Sequence, residues 1–172
     1  MVWTYAEGVN VVVGLVGPGV TLPLRHRVLR PHKPVETVLL PGEHGPGATH
    51  VAAQLPGGEV VGSAVLLREG FGLMPDRSDA WRLRGMATDE RMRGQGIGSR
   101  VLGYVIGYVG RNGGGVLWCH ARVPARRFYQ RAGFSAVGDQ WDDPHFGPHV
   151  VMWREVAAHT RAAGEYDASL QC

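Results

Sequence analysis

The run Arg93-Gly94-Gln95-Gly96-Ile97-Gly98-Ser99 has the composition of an anion-binding turn. It stands between a stretch of strand character, 80–88, and a helical stretch that reaches about residue 112. A glycine-rich turn that opens a helix presents backbone N–H groups without partners, and the helix N-terminus adds a partial positive charge. Phosphate or pyrophosphate suits such a turn, and glycines let the backbone approach the anion with no Cβ in the way. A Walker A loop needs Lys and then Ser or Thr after its last glycine, whereas Gly98 is followed by Ser99 and Arg100. A dinucleotide fingerprint fits Gly94 and Gly96, but its last glycine falls on Ser99, and no acidic residue occurs from Arg100 to Gly138. What remains is Arg93-x-x-Gly96-x-Gly98, with a plain glycine-rich helix cap as the alternative.

Hydrophobic periodicity supplies the elements around this turn. The β-branched run 9–16 predicts a first strand. Thr21 and Pro23 suit the start of a helix that ends before Pro31. Residues 31–49 read as a loop, and 50–55 and 59–67 as a hairpin around Pro56-Gly57-Gly58. Residues 80–88 form the fourth strand. After the glycine turn, Ile97, Val101, Val105 and Val109, with Leu102 and Ile106 beside them, make one buried helical stripe that Gly113 to Gly115 end. A fifth strand, 116–121, a helix at 125–132 and two strands at 134–140 and 149–156 follow, with 141–148 as their loop. The order β-α-β-β-β-α-β-α-β-β implies an α/β mixed sheet with one parallel crossover. One domain, 1–156, is expected, followed by a weakly helical, mobile tail at 157–172.

With 172 residues, 44% hydrophobic and 19% charged, the chain is large enough for one real core. No apolar run reaches the length of a membrane span, and no basic-then-apolar leader is seen. Two cysteines, Cys119 and Cys172, suggest no disulfide framework, so a cytoplasmic location is expected. The net charge of +3 is modest, and Lys33 is the single lysine among 18 basic residues. Arg82, Arg84, Arg91, Arg93 and Arg100 lie about the glycine turn, and a polyphosphate ligand accounts for them better than nucleic acid does, since no basic run or nucleic-acid motif is present.

The pattern Arg93-x-x-Gly96-x-Gly98 resembles the acyl-CoA loop of the GNAT superfamily of N-acetyltransferases. Phe128-Tyr129-Gln130-Arg131-Ala132-Gly133-Phe134 is similar to that family's aromatic-Tyr-x-x-x-Gly-Phe signature and follows in the same order. The runs Leu83 to Thr88, Leu117 to Arg122 and Pro148 to Met152 resemble the ElaA-like branch, and the likeness spans 60–155. It implies a mixed sheet splayed between the fourth and fifth strands, with helices on both faces. The cofactor would be acetyl-CoA, its pantetheine amides on Met86, Ala87 and Thr88 and its pyrophosphate on Arg93, Gly94, Gln95, Gly96, Ile97, Gly98 and Ser99. The acetyl group would pass directly to a primary amine of a small molecule or peptide, with no nucleic-acid or membrane partner and with a homodimer left open. Two alternatives stay open: another acyl-CoA, or a CoA-binding module without transfer activity. The chain departs from the family at Thr88, where Val is common, at Arg122, where Asn is common, and on the fourth strand, where many members carry a Glu and this chain has Arg82 and Arg84.

Tyr129 falls on the family tyrosine that hydrogen-bonds or protonates the departing thiolate. His120, at the end of the fifth strand, could take a proton from a substrate ammonium, and His149 could line the acceptor pocket. Glu69 is a weaker base. A zinc site from His145, His149, Cys119 and His120 is disfavoured, because His145-x-x-x-His149 contains Gly147 and Pro148. Cys119 beside Trp118 reads as a buried thiol and not as a nucleophile. Residues 20–50 and 139–149 are expected to shape the acceptor pocket, although they name no substrate.

Overall fold

A computed structural model describes residues 9–159. The strands are β1 Val12–Val16, β2 Ala48–Gln54, β3 Val60–Arg68, β4 Trp81–Thr88, β5 Gly115–Arg122, β6 Ser135–Asp143 and β7 Gly147–Val156. The helices are α1 Leu22–Leu29, α2 Ile97–Arg111 and α3 Arg126–Arg131, and short 3-10 turns cover Val35–Val38, Glu90–Met92 and Val123–Ala125. All seven strands form one sheet in the order β1-β2-β3-β4-β5-β7-β6. The expected tail beyond His159 lies outside the described residues. No helix among them is long and apolar enough to cross a membrane.

Every neighbouring pair is antiparallel except β4 and β5. That parallel pair touches only at Trp81↔Leu117 and Arg82↔Trp118, and beyond Arg82 the strands part. A bulge contributes to the parting. Ser63 faces Ala87 while Val65 faces Arg84, so β4 carries an extra residue at Gly85-Met86. Gly85 has φ +59, and Ser63 donates a hydrogen bond from its hydroxyl to the Gly85 carbonyl at 2.9 Å. A Cβ on Gly85 would meet Cδ of Arg25 at 2.9 Å, so glycine is needed for space as well as for conformation.

The α2 stripe buries as expected: Ile97, Val101, Leu102, Val105 and Val109 pack on one face of the sheet. Gly62 lets them approach, since a Cβ there would lie 2.8 Å from Ile97. Helix α1 lies on the other face, where Arg25 meets Gly85. Thr21 takes the N-cap position of α1, but its hydroxyl makes no cap bond and is buried without a partner.

The region expected as a loop at 141–148 is mostly strand. Trp141 pairs with His149, Asp142 with Pro148 and Asp143 with Gly147, leaving a tight turn at 144–146. The Asp143 carboxylate accepts from the amides of His145 and Phe146 at 2.8 and 3.0 Å and closes that turn. The glycine-containing stretch hides the strand because Gly138, at φ +73, lies in a bulge between Val137 and Trp141.

Candidate functional site

Where β4 and β5 separate, a cleft of about 870 Å³ opens. One wall is the unpaired edge of β4, Met86, Ala87 and Thr88, and the opposite wall is the end of β5 with Tyr129 of α3. Arg93 and Gly98 stand at one end, and His120, Trp141 and His149 at the other. Both segments expected to shape a pocket line it, through Leu29 and Arg30 of the first and Trp141 and Phe146 of the second.

The glycine turn has the predicted backbone. Gly94 and Gly96 have φ of +77 and +76, a region that side chains with Cβ rarely adopt. Helix α2 makes its first backbone bond from the Arg100 amide to the Gly96 carbonyl, so the Ile97, Gly98 and Ser99 amides have no partner inside the helix. Gly98 is packed beneath Thr88 and Phe128, where a Cβ would lie 3.3 and 3.4 Å from their side chains. The side chains divide differently from the backbone. Ile97 is buried in the core, Gln95 folds back to the Arg91 carbonyl at 3.2 Å, and Ser99 faces a smaller groove with Leu102 and Arg131. Any anion-binding role of these three therefore belongs to their amides.

Asp89 ties the turn down. It is buried, accepts from the Arg91 amide at 3.0 Å and pairs with Arg27 of α1 at 2.7 Å. The bonds from Arg91, joined by that from Arg27, outweigh desolvation and hold its carboxyl well below the usual range. Arg93 pairs with Glu90 at 3.4 Å, and Arg91 with Glu59 at 2.5 Å. The arginines expected to gather at the turn thus split into two groups. Arg91, Arg93 and Arg100 stay near it, but Arg82 and Arg84 lie six and four residues back along β4 from Thr88, the residue that packs on Gly98, roughly 20 and 13 Å from it at about 3.3 Å per residue.

Tyr129 is buried between Phe128 and Phe134, with ring centroids 5.0 and 5.4 Å away. Burial, with the neighbouring Cys119 thiol, raises its hydroxyl well above the usual phenol value, so the phenol stays protonated. Burial likewise pushes the Cys119 thiol up to about 12, leaving no thiolate at neutral pH. His120 stands in a row of rings, edge-on to Trp118 at 5.5 Å and to Trp141 at 4.9 Å, with Trp141 stacked on His149 at 5.6 Å. Arg82 pairs with Glu69 at 2.5 Å and approaches Nδ1 of His120 at 3.4 Å. Desolvation first, and then the Arg82 charge, lower the His120 pKa to about 4. Glu69 is thereby held in an ion pair. Sequence reasoning brought His120 and His149 to one place and counted Trp141 and Phe146 in a pocket-shaping segment, but it assigned Trp141 to a loop where the structure has β6. Among the described residues no cluster of three His, Cys, Asp or Glu could hold a metal ion.

Beneath α1, Arg25 and Glu43 form a fully buried, two-pronged ion pair at 2.7 and 2.9 Å. Arg25 also donates to the Val38 carbonyl at 3.2 Å, and the Leu40 amide donates to Glu43 at 3.0 Å. Arg25 lines the cleft and abuts the β4 bulge. The partners stand 18 residues apart in sequence, and no local signal pairs them.

The comparisons with known proteins converge on one family. The model of the acetyltransferase (GNAT) family matches residues 23–134, well over half the chain. The uncharacterized N-acetyltransferase YitI of Bacillus subtilis (strain 168) is 32% identical over 134 residues, covering 78% of this chain and 89% of that protein. Escherichia coli ElaA superposes with a TM-score of 0.64 at 18% identity, over 86% of this chain and 100% of that one. An aminoglycoside 6'-N-acetyltransferase complexed with coenzyme A superposes with a TM-score of 0.63 at 16% identity, over 87% and 99%. At such identities the two structures speak for the fold alone, and for ElaA that is the level at which the branch resemblance stands. The family match, the relative and the splayed sheet together establish that this chain is an acyltransferase and belongs to the GNAT family of acetyltransferases.

Proposed function

We propose that the chain transfers an acetyl group from acetyl-CoA directly to a primary amine of a small molecule or peptide. The observation that carries this reading is the β4–β5 fork, pairing only at Trp81↔Leu117 and Arg82↔Trp118, with Tyr129 and the glycine turn on one cleft. The free β4 edge at Met86, Ala87 and Thr88 suits the amides of a pantetheine arm, and the α2 amides suit its pyrophosphate. The cofactor bound in the aminoglycoside acetyltransferase structure supports coenzyme A as the carrier. When bound, acyl-CoA supplies the thioester; the chain supplies orientation, worth much of the barrier in such reactions. The buried, free Cys119 fits a cytoplasmic location.

The test is thiol release from acetyl-, propionyl- and longer acyl-CoAs across a panel of primary amines. Amine-dependent release fastest with acetyl-CoA is expected. Faster turnover of a longer acyl-CoA overturns the donor, and CoA binding without turnover on any amine favours a binding module. Binding itself depends on the turn's backbone. Gly96→Val and Gly98→Leu each weaken CoA at least tenfold in calorimetry while the far-ultraviolet dichroism is kept, and unchanged affinity rejects the cofactor site.

Protons are handled by the two histidines in this reading. Arg82 can only donate, so Nδ1 of His120 accepts and its Nε2 carries the proton in the neutral ring. The Gly147 carbonyl can only accept, so Nδ1 of His149 donates at 2.7 Å, which in the neutral ring leaves the lone pair on Nε2. Sequence position makes His120 the candidate base; the hydrogen bonds favour Nε2 of His149 as the proton acceptor, with His120 as a donor toward substrate or water. Because His120 titrates near pH 4, it stays neutral through the working range and contributes no inflection there. The pH profiles of kcat/KM for wild type and His120→Gln therefore keep one shape from about pH 5.5 to 8, while His149→Ala loses more kcat. An inflection near pH 6–7 that disappears in His120→Gln returns the base to His120.

A further inference from the structure

The acceptor half of the cleft is cationic beyond what its own carboxylates neutralise. Six arginines line the cleft. Arg25 is matched by Glu43, Arg82 by Glu69 and Arg93 by Glu90. Arg30, Arg84 and Arg122 have no carboxylate partner among the described residues. The one remaining acid of the lining, Asp143, is engaged by the amides of its own turn. Arg30 and Arg122 flank the Phe146 ring at 4.7 and 5.5 Å, and Lys33 stands 5.7 Å from it.

Arg84 is the most telling of these groups. It is partly buried on β4, and desolvation, followed by repulsion from Arg82, lowers its pKa. Keeping a desolvated guanidinium beside like charges is costly unless an anion arrives to pair with it. Cofactor phosphates on the glycine turn do not reach it, since Arg84 lies roughly 13 Å up the strand at about 3.3 Å per residue. A planar fork of donors matches a carboxylate with two parallel bonds, and Phe146 and Trp141 add flat aromatic faces to the same cleft.

We propose that the acceptor is a small amine bearing a carboxylate, held by Arg84 with Arg30 and Arg122 at the mouth. The inference rests on the acyl-transfer reading above and names the substrate class of that site. The carboxylate lies against Arg84 while the amine points along β4 toward the thioester.

The test uses amines matched except at the anion: 4-(aminomethyl)benzoate against 4-(aminomethyl)benzamide, and 2-aminoethyl phosphate against ethanolamine. In wild type, kcat/KM for the benzoate exceeds that for the benzamide at least tenfold. Arg84→Gln abolishes that preference, the benzoate losing its KM advantage over the benzamide, and Arg84→Lys restores part of it. Equal rates for benzoate and benzamide overturn the proposal, and a preference confined to the phosphate overturns the carboxylate. If no amine turns over, the acyl-transfer reading fails by itself. The inference is then read from calorimetric binding of 4-methylbenzoate against 4-methylbenzamide to the CoA-loaded protein. Tighter carboxylate binding lost in Arg84→Gln upholds it, and no difference sinks it.

Discussion

Tyr129→Phe lowers kcat by about 10²–10³-fold and leaves the KM for acyl-CoA near its wild-type value. The size follows from what the hydroxyl can do. A leaving thiolate has a conjugate acid of pKa about 8.5, whereas the buried Tyr129 phenol lies well above its ordinary 10. Full proton transfer from phenol to thiolate is therefore uphill, so the role proposed for the hydroxyl is to donate a hydrogen bond to the sulfur as charge develops. One such preorganised donor in a water-poor site is worth about 10²–10³ in rate. The substitution is a clean probe, because phenylalanine keeps the ring contacts with Phe128 and Phe134 and so keeps the fold. Single-turnover rates with saturating amine are the measurement, so that product release does not mask chemistry. A Phe variant with wild-type single-turnover rate removes Tyr129 from the mechanism.

Those elements were legible in the sequence whose residue types answer to local backbone demands. Gly94 and Gly96 sit at positive φ, and the α2 stripe buries one face. The β2–β3 hairpin follows its Pro-Gly-Gly turn, and Tyr129 follows its family motif. What escaped is governed by partners distant in sequence. Trp141 looked like a loop residue because the bulge at Gly138 interrupts its strand. Arg84 looked like part of the phosphate turn because it is near in sequence, but an extended strand carries it away. The β4 bulge depends on Gly85, Ser63 and Arg25 meeting, and the residue pattern of 80–88 alone cannot announce it. The absence of a carboxylate on β4 was visible at once; only the hydrogen bonds of His120 and His149 gave each ring a direction.

Removing one partner of the buried pair under α1 costs far more stability than removing both. Arg25→Met leaves the buried Glu43 carboxylate with the Leu40 amide and the His44 ring at 3.6 Å but no guanidinium, and breaking such a pair costs about 3–5 kcal/mol. Arg25→Met with Glu43→Leu removes both charges and most of that loss is recovered, since well-packed apolar replacements of buried pairs are often near neutral. The pair also predicts a pH dependence. Desolvation acts to raise the Glu43 carboxyl, but hydrogen bonds from Arg25 and Leu40, with the Arg25 charge, prevail and leave it below its ordinary 4.5. A depressed carboxyl stabilises the fold above its unfolded value and loses that contribution as pH falls through the folded one. The gap in urea midpoint between wild type and Glu43→Gln therefore stays constant above about pH 5 and narrows below about pH 4. A single Arg25→Met that costs under about 1 kcal/mol would show the pair to be relaxed or hydrated. Function is coupled to the same residues, because Arg25 abuts the Gly85 bulge that directs the free β4 edge into the cleft. The double variant thus folds, yet its KM for acyl-CoA rises as the bulge loses its backing, and an unchanged KM would place the control of the β4 edge in the Ser63–Gly85 hydrogen bond alone.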